Sequence, residues 1–177
     1  PPEGRLSNAS EHPRDQPAYL IDPIAGARRF GDELLRAIEP VRQYVNAAEG
    51  LNETGLWNAA DPYNLFTAEL ARILHREGLE HNAYNFPVGN PSGYAPKGAT
   101  RAEYLEGLRA YWQHYWDGLR ESDRLCLHEY GSPTMRANAG YWCLRYRDVW
   151  EGLPPDCRQP ILITEAGIDG QLVGRDA

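Results

Sequence analysis

Two glutamates stand where apolar, strand-like stretches of the sequence give way to polar residues. Glu53 closes the stretch "YVNAAEGLNE", and Glu165 follows the apolar run in "QPILITEAG". Two carboxyl groups in different environments can divide the work of breaking a glycosidic bond. One stays protonated and donates to the leaving oxygen, while the other attacks the anomeric carbon. We therefore take Glu53 and Glu165 as candidate catalytic residues, for a chemistry that requires no metal and no cofactor.

Polar and aromatic residues near the first glutamate extend this candidate site. Asn52 directly precedes Glu53, where its amide could bind a sugar hydroxyl. Asn85 follows another strand-like stretch and is a candidate for substrate binding as well. Trp57 is either a platform for a sugar ring or a packing residue, because a large aromatic face serves both purposes. The sequence leaves both readings of Trp57 open.

A third group of polar residues lies in "LHEYG", which contains His128, Glu129 and Tyr130. His128 and Tyr130 are either substrate contacts or structural residues with satisfied hydrogen bonds, and a tyrosine near a nucleophile can also orient it. Because successive side chains of a strand point to opposite faces, Glu129 should face away from its two neighbours.

Helices and strands alternate along the chain and must position these residues. Apolar spacing and capping signals predict four helices, over residues 22–43, 61–78, 100–120 and 140–154. Strand-like runs occur within residues 44–53, at the start of 80–91, and within 123–131 and 160–167. This alternation indicates an α/β fold with a parallel sheet.

The predicted strands end near the candidate site residues, at Glu53, Asn85, His128 and Glu165. Ligands bind at the carboxyl ends of strands in parallel sheets and barrels. The 112 positions from Glu53 to Glu165 give about 37 for each of three repeats, against about 31 in a complete (β/α)8 barrel. This spacing suits an open doubly wound sheet as well. None of the predicted strands is followed by a Gly-x-Gly-x-x-Gly motif or a phosphate loop, which argues against nucleotide binding.

These motifs resemble those of the retaining glycosidases of clan A, the large (β/α)8-barrel superfamily that includes cellulases and β-galactosidases. The resemblance implies that Asn52 and Glu53 in "GLNETGLWN" are the asparagine and acid/base at the end of the fourth barrel strand. Glu165 in "ILITEAG" corresponds to the nucleophile at the end of the seventh strand. His128 and Tyr130 match the His-x-Tyr common at the sixth.

The resemblance covers roughly residues 40–170 and implies a partial (β/α)8 TIM barrel of about four to five βα units, approximately strands 4 to 7. If a fifth unit is present, its strand would be "AYLID", residues 18–22, ahead of the other four in the chain. Thr54 departs from the family, in which many members have proline after the acid/base. Only 12 residues follow Glu165, so we expect a fragment of a longer protein, or a barrel completed by another chain or by homo-oligomerisation.

The implied substrate is a carbohydrate, and the resemblance slightly favours a secreted location. One alternative is a non-catalytic carbohydrate-binding or structural barrel fragment. Another is an unrelated α/β hydrolase or ligand-binding domain, although a serine hydrolase is disfavoured because the sequence has no Gly-x-Ser-x-Gly elbow.

The length of 177 residues suits a single domain, in which residues 1–17 form a polar loop or arm. A net charge of −7 argues against a nucleic-acid or anionic-membrane partner, because phosphate groups are bound by a positive field. The sequence has no apolar run of membrane-spanning length. Its three cysteines form no Cys-x-x-Cys pair, which argues against a cysteine-based zinc site.

Overall fold

A computed structural model of the chain describes residues 16–53, 60–87, 98–131 and 143–168. Its helices are α1 (Gln16–Leu20), α2 (Pro23–Ile38), α3 (Ala60–Arg76), α4 (Arg101–Trp112), α5 (Trp116–Glu121) and α6 (Tyr146–Gly152). Its strands are β1 (Ala47–Glu49), β2 (Glu80–Phe86), β3 (Arg124–Gly131) and β4 (Ile161–Ile168). Helices and strands therefore alternate from α2 to β4, as the sequence predicts.

The four strands form one parallel sheet in the order β1-β2-β3-β4, which is also their order along the chain. The sheet is curled into a half-barrel and flanked by helices, so the fold is mixed α/β. A doubly wound sheet would reverse its strand order at a switch point, and these four strands show no such reversal. The strand order therefore favours the barrel-like alternative of the two.

The helices cover the sheet with apolar stripes. Buried Ala27, Phe30, Leu34 and Ile38 recur along α2 at helical spacing, and α3 packs against both α2 and α5. Many of the aromatic residues lie in this core, where Tyr84, Phe86 and Tyr115 have ring centroids 5.1–5.2 Å apart. Among the described residues, none of the helices is both long and apolar enough to cross a membrane.

The prediction of a fifth strand at residues 18–22 is wrong, because this segment belongs to helix α1 and the turn after it. The ring of Tyr19 meets that of Phe30 edge-on at 5.5 Å, and its hydroxyl donates to Glu33 at 2.6 Å. Packing against α2 thus outweighs the strand-like composition. Helix α1 also begins at Gln16, so the predicted polar arm of residues 1–17 extends too far; its residues 1–15 lie outside the described part of the chain.

Capping residues define several helix ends as predicted. The Asp22 side chain accepts a hydrogen bond from the Ala25 amide at the start of α2, and Thr100 and Glu103 form a capping box at the start of α4. Gly78, with a φ of 68°, follows α3.

Strand β1 is shorter than predicted, because residues 50–53 leave the sheet in a turn.

The helix predicted over residues 100–120 is interrupted by a 3-10 turn at Gln113–Tyr115. Tertiary contacts explain this break, because the Tyr84 hydroxyl lies 3.0 Å from the Tyr115 carbonyl and Asn64 accepts from the Gly118 amide at 2.8 Å. These contacts occupy backbone groups that a continuous helix would pair internally. A Cβ atom at Gly118 would lie 1.9 Å from the Tyr84 hydroxyl, so only glycine fits there.

His81 belongs to strand β2 and is fully buried. Its Nδ1 lies 2.8 Å from the Ser122 hydroxyl. That hydroxyl donates to the Gly118 carbonyl at 2.6 Å, so Nδ1 of His81 is the donor to Ser122. Burial, followed by the charge of His75, lowers the pKa of His81 from 6.5 to about 3, against a smaller opposing effect of Asp123. The imidazole is therefore neutral in the folded protein.

We predict that acid destabilises this protein through His81. The unfolded chain binds a proton at a pKa of about 6.5 and the folded chain only near 3, so the free energy of unfolding should fall as pH decreases through this window. The expected slope is about 1.4 kcal/mol per pH unit. Urea unfolding of the wild type and of His81→Asn between pH 7 and 4.5 measures it. The His81→Asn variant should lose this slope. The control variant His114→Asn, which alters an exposed histidine, should keep it. Equal slopes in all three proteins would contradict the assignment.

Candidate functional site

The predicted site residues converge on His128, which lies in strand β3 and is completely buried. Its Nδ1 is 2.8 Å from Oε1 of Glu53, and its Nε2 is 3.6 Å from Oε1 of Glu165. One imidazole ring therefore faces both glutamates, which the sequence separates by 112 positions. The chain brings together the two carboxylates and the histidine that the sequence singles out.

A bulge in strand β4 places Glu165 beside His128. Leu127 pairs with Ile163, but the next residue, His128, pairs with Glu165, so Thr164 is an extra residue in the register. Bulges re-aim side chains and occur often beside functional sites. Tyr130 then donates a hydrogen bond from its hydroxyl to Oε2 of Glu165 at 2.6 Å. The two oxygens of Glu165 thus have different surroundings, since Oε2 faces a tyrosine and Oε1 faces the histidine.

Glu53 reaches the site from the turn after β1, four residues beyond the end of that strand. Its φ is 52°, a conformation that few residues other than glycine adopt, and its side chain is 47% exposed. The Glu53 amide donates to the carbonyl of Asn85 at 3.1 Å, which ties this turn to strand β2. Strained backbone held by tertiary contacts is common at functional sites.

The neighbouring part of β2 is distorted as well. Tyr84 and Asn85 have φ values of 75° and 29°, and the pairing of β2 with β3 shifts register at this point. The hydroxyl of Tyr63, from α3, lies 2.9 Å from the Leu51 carbonyl and 3.1 Å from that of Tyr84. Tyr63 therefore fixes the turn that carries Glu53 against the distorted part of β2.

Glu129 and Arg145 brace the backbone on the face of β3 that points away from the two glutamates. The sequence alone does not indicate this supporting role. The buried Glu129 carboxylate accepts from the amides of Leu144 at 2.7 Å and Tyr146 at 3.0 Å, so it faces away from the glutamate pair as strand alternation predicts. Buried Arg145 donates to the His128 carbonyl at 3.3 Å. Burial lowers the pKa of Arg145 to about 10, with Glu129 opposing.

The remaining predicted residues lie around this centre. Asn85 is buried, and its Oδ1 accepts from the Thr164 hydroxyl at 3.4 Å, beside Glu165. Asn52 is half-buried next to Glu53. Trp57 and Thr54 lie outside the described residues. His128 and Glu165 lie within their strands and not at the last residue, because β3 and β4 each continue three residues further.

The centre also has the donor atoms of a metal site. One ligand atom each from Glu53, His128 and Glu165 can be chosen so that all three lie within 4.8 Å of one another. From the sequence, Glu53 and Glu165 are predicted as acid/base and nucleophile, and His128 as a substrate contact or a structural residue. Their convergence as a ligand set depends on β3, β4 and the turn after β1, and the spacing in the sequence could not reveal it.

The sequence matches no protein-family model, and comparison with curated proteins and with solved structures gives no significant match.

We predict that Glu129 stabilises the fold through the segment 144–146. Glu129→Gln keeps one acceptor for two amides and leaves the Arg145 guanidinium buried without its counter-charge. The free energy of unfolding should fall by about 2–4 kcal/mol. Chemical denaturation measures this, with Glu106→Gln at an exposed helical position as the matched control. An unchanged midpoint for Glu129→Gln would contradict the bracing role.

Proposed function

We propose that this chain carries the catalytic centre of a retaining glycoside hydrolase, with Glu165 as nucleophile and Glu53 as acid/base. The observation that carries the proposal is the separation of the two carboxylates, since an oxygen of each lies within 4.8 Å of the other. Retaining glycosidases hold their carboxyl groups about 5–5.5 Å apart, whereas inverting enzymes leave about 6.5–9.5 Å for a water molecule.

The surroundings of each glutamate suit its proposed role. The Tyr130 hydroxyl holds Oε2 of Glu165, which leaves Oε1 as the attacking atom. Glu53 is the more exposed of the pair, 47% against 19%, as expected for the group that meets both the leaving group and the incoming water. Asn85 and Asn52 lie beside the pair as candidate contacts to sugar hydroxyls.

In the first step, Oε1 of Glu165 forms a bond to the anomeric carbon as the bond to the leaving oxygen breaks. The proton of the Glu53 carboxyl passes to that oxygen, which leaves as an alcohol. In the second step, Glu53 takes a proton from water, and the resulting hydroxide equivalent displaces Glu165 from the anomeric carbon. Two inversions return the original configuration.

The half-barrel supports a finer assignment, in which β1 to β4 correspond to strands 4 to 7 of a (β/α)8 barrel. The strands follow one another in chain order and the proposed acid/base and nucleophile come from the first and the fourth, as in the clan A glycosidases that the motifs resemble. The substrate would be a carbohydrate bound at the carboxyl ends of the strands.

We predict different consequences for the two glutamates with an activated dinitrophenyl glycoside, whose departure needs no acid. Glu165→Gln should lose at least about a thousandfold in kcat, with the circular dichroism spectrum unchanged. Glu53→Gln should still form the glycosyl-enzyme but hydrolyse it slowly. Azide, which attacks without a general base, should then restore turnover and give a glycosyl azide of retained configuration.

Wild-type activity in Glu165→Gln, or an azide product of inverted configuration from Glu53→Gln, would exclude these roles. Binding of sugars by the wild type without any turnover would favour the alternative, a non-catalytic carbohydrate-binding or structural barrel fragment.

We further propose that additional strands complete this barrel, from a longer protein or from a second copy of the chain. Within the described residues, β1 and β4 each pair on one side only, and Ile163 of β4 is 39% exposed. Open edges and exposed apolar side chains favour association. The isolated 177-residue chain should therefore self-associate in size-exclusion chromatography with light scattering, and a cooperatively unfolding monomer would contradict the proposal.

A further inference from the structure

We propose that Glu53, His128 and Glu165 bind a divalent transition-metal ion, such as Zn²⁺ or Co²⁺, at the centre of the candidate site. The proposed ligands are Nε2 of His128, Oε1 of Glu165 and one carboxylate oxygen of Glu53. The site would leave a fourth position open to water, as three-ligand zinc sites in enzymes do.

The unsatisfied histidine nitrogen is the first observation behind this proposal. Nε2 of His128 is buried and has no hydrogen-bond partner among the described residues, although its ring is held by Glu53 at Nδ1. A buried polar atom without a partner destabilises the fold, and a ligand that pairs with it removes this cost. Its nearest charged neighbour is Oε1 of Glu165, at 3.6 Å, too far for a hydrogen bond.

The gap between these two atoms has the size that a metal ion requires. Ligands bonded to zinc at about 2.0–2.2 Å in a tetrahedron stand about 3.3–3.6 Å from each other. The observed separation of 3.6 Å between Nε2 and Oε1 lies within this range. To join them, Glu53 must give up its hydrogen bond to Nδ1 of His128 and move toward the other two ligands, and its 47% exposure leaves room for this movement.

The types of ligand atom, and the side chain that holds one of them, indicate which class of ion would bind. One imidazole nitrogen and two carboxylate oxygens suit zinc, cobalt, manganese or ferrous iron better than calcium or copper(I). Tyr130, which donates to Oε2 of Glu165, would act as an outer partner that orients a ligand, a common feature of metal sites. The two carboxylates would neutralise the charge of the ion.

A bound ion would occupy the space between the carboxylates that a sugar needs. It would therefore act as a competitive inhibitor of the hydrolysis proposed above, and this consequence alone rests on the proposed function. Metal binding itself does not, so the two proposals can fail separately.

The test is titration of the full chain, freed of metal by chelation, with Co²⁺ followed by visible absorption and with Zn²⁺ followed by calorimetry. We expect one ion per chain. His128→Gln, Glu53→Gln and Glu165→Gln should each weaken binding by at least about tenfold, since even the loss of an outer partner costs about 10–100-fold. His114→Gln, which alters an exposed histidine paired with Asp61, should bind like the wild type.

Because His128 is buried, circular dichroism must show that its variant is folded. Glu53→Gln keeps the test decisive if it is not, since Glu53 is half exposed. The absence of stoichiometric binding by the wild type would overturn the proposal, and so would unchanged affinity in Glu53→Gln. A thiolate-to-cobalt charge-transfer band would do the same, because it would place the ion on one of the buried cysteines.

Discussion

A buried histidine stands between two carboxylates, with one ring nitrogen directed at each. Glu53 and Glu165 have oxygens within 4.8 Å of each other, close enough for each carboxyl group to influence the other. His128 is fixed between them, because its strand β3 is paired on both sides and its ring is completely buried. The spacing of the carboxylates is therefore set by the position of an imidazole that has no freedom to move aside.

The backbone is distorted in three segments around this histidine, two of which carry the carboxylates. Glu53 has a positive φ, β2 is irregular at Tyr84 and Asn85, and β4 carries a bulge at Thr164. Each strained residue costs about 1–3 kcal/mol and persists only where its surroundings fix it. Hydrogen bonds from the hydroxyl of Tyr63 to carbonyls of two of these segments provide that fixation. Without the bulge in β4, Thr164 and not Glu165 would pair with His128.

The two proposals draw on one arrangement used in two ways. A pair of carboxylates at short distance can share acid and nucleophilic roles if a sugar lies between them. The same pair, with an unsatisfied imidazole nitrogen beside it, also has the composition of a metal site. Which of these dominates depends on whether an ion or a substrate occupies the gap between the carboxylates.

The sequence predicts the alternation of helices and strands, several caps and the candidate residues, because apolar periodicity, Asp-Pro starts, capping boxes and short motifs are local signals. It could not determine that residues 16–20 form a helix, or that the helix over 100–120 breaks. The bulge that sets Glu165 opposite His128, and the brace formed by Glu129 and Arg145, are visible only in the folded chain. These features depend on hydrogen bonds between residues far apart in the chain, and no local pattern records them.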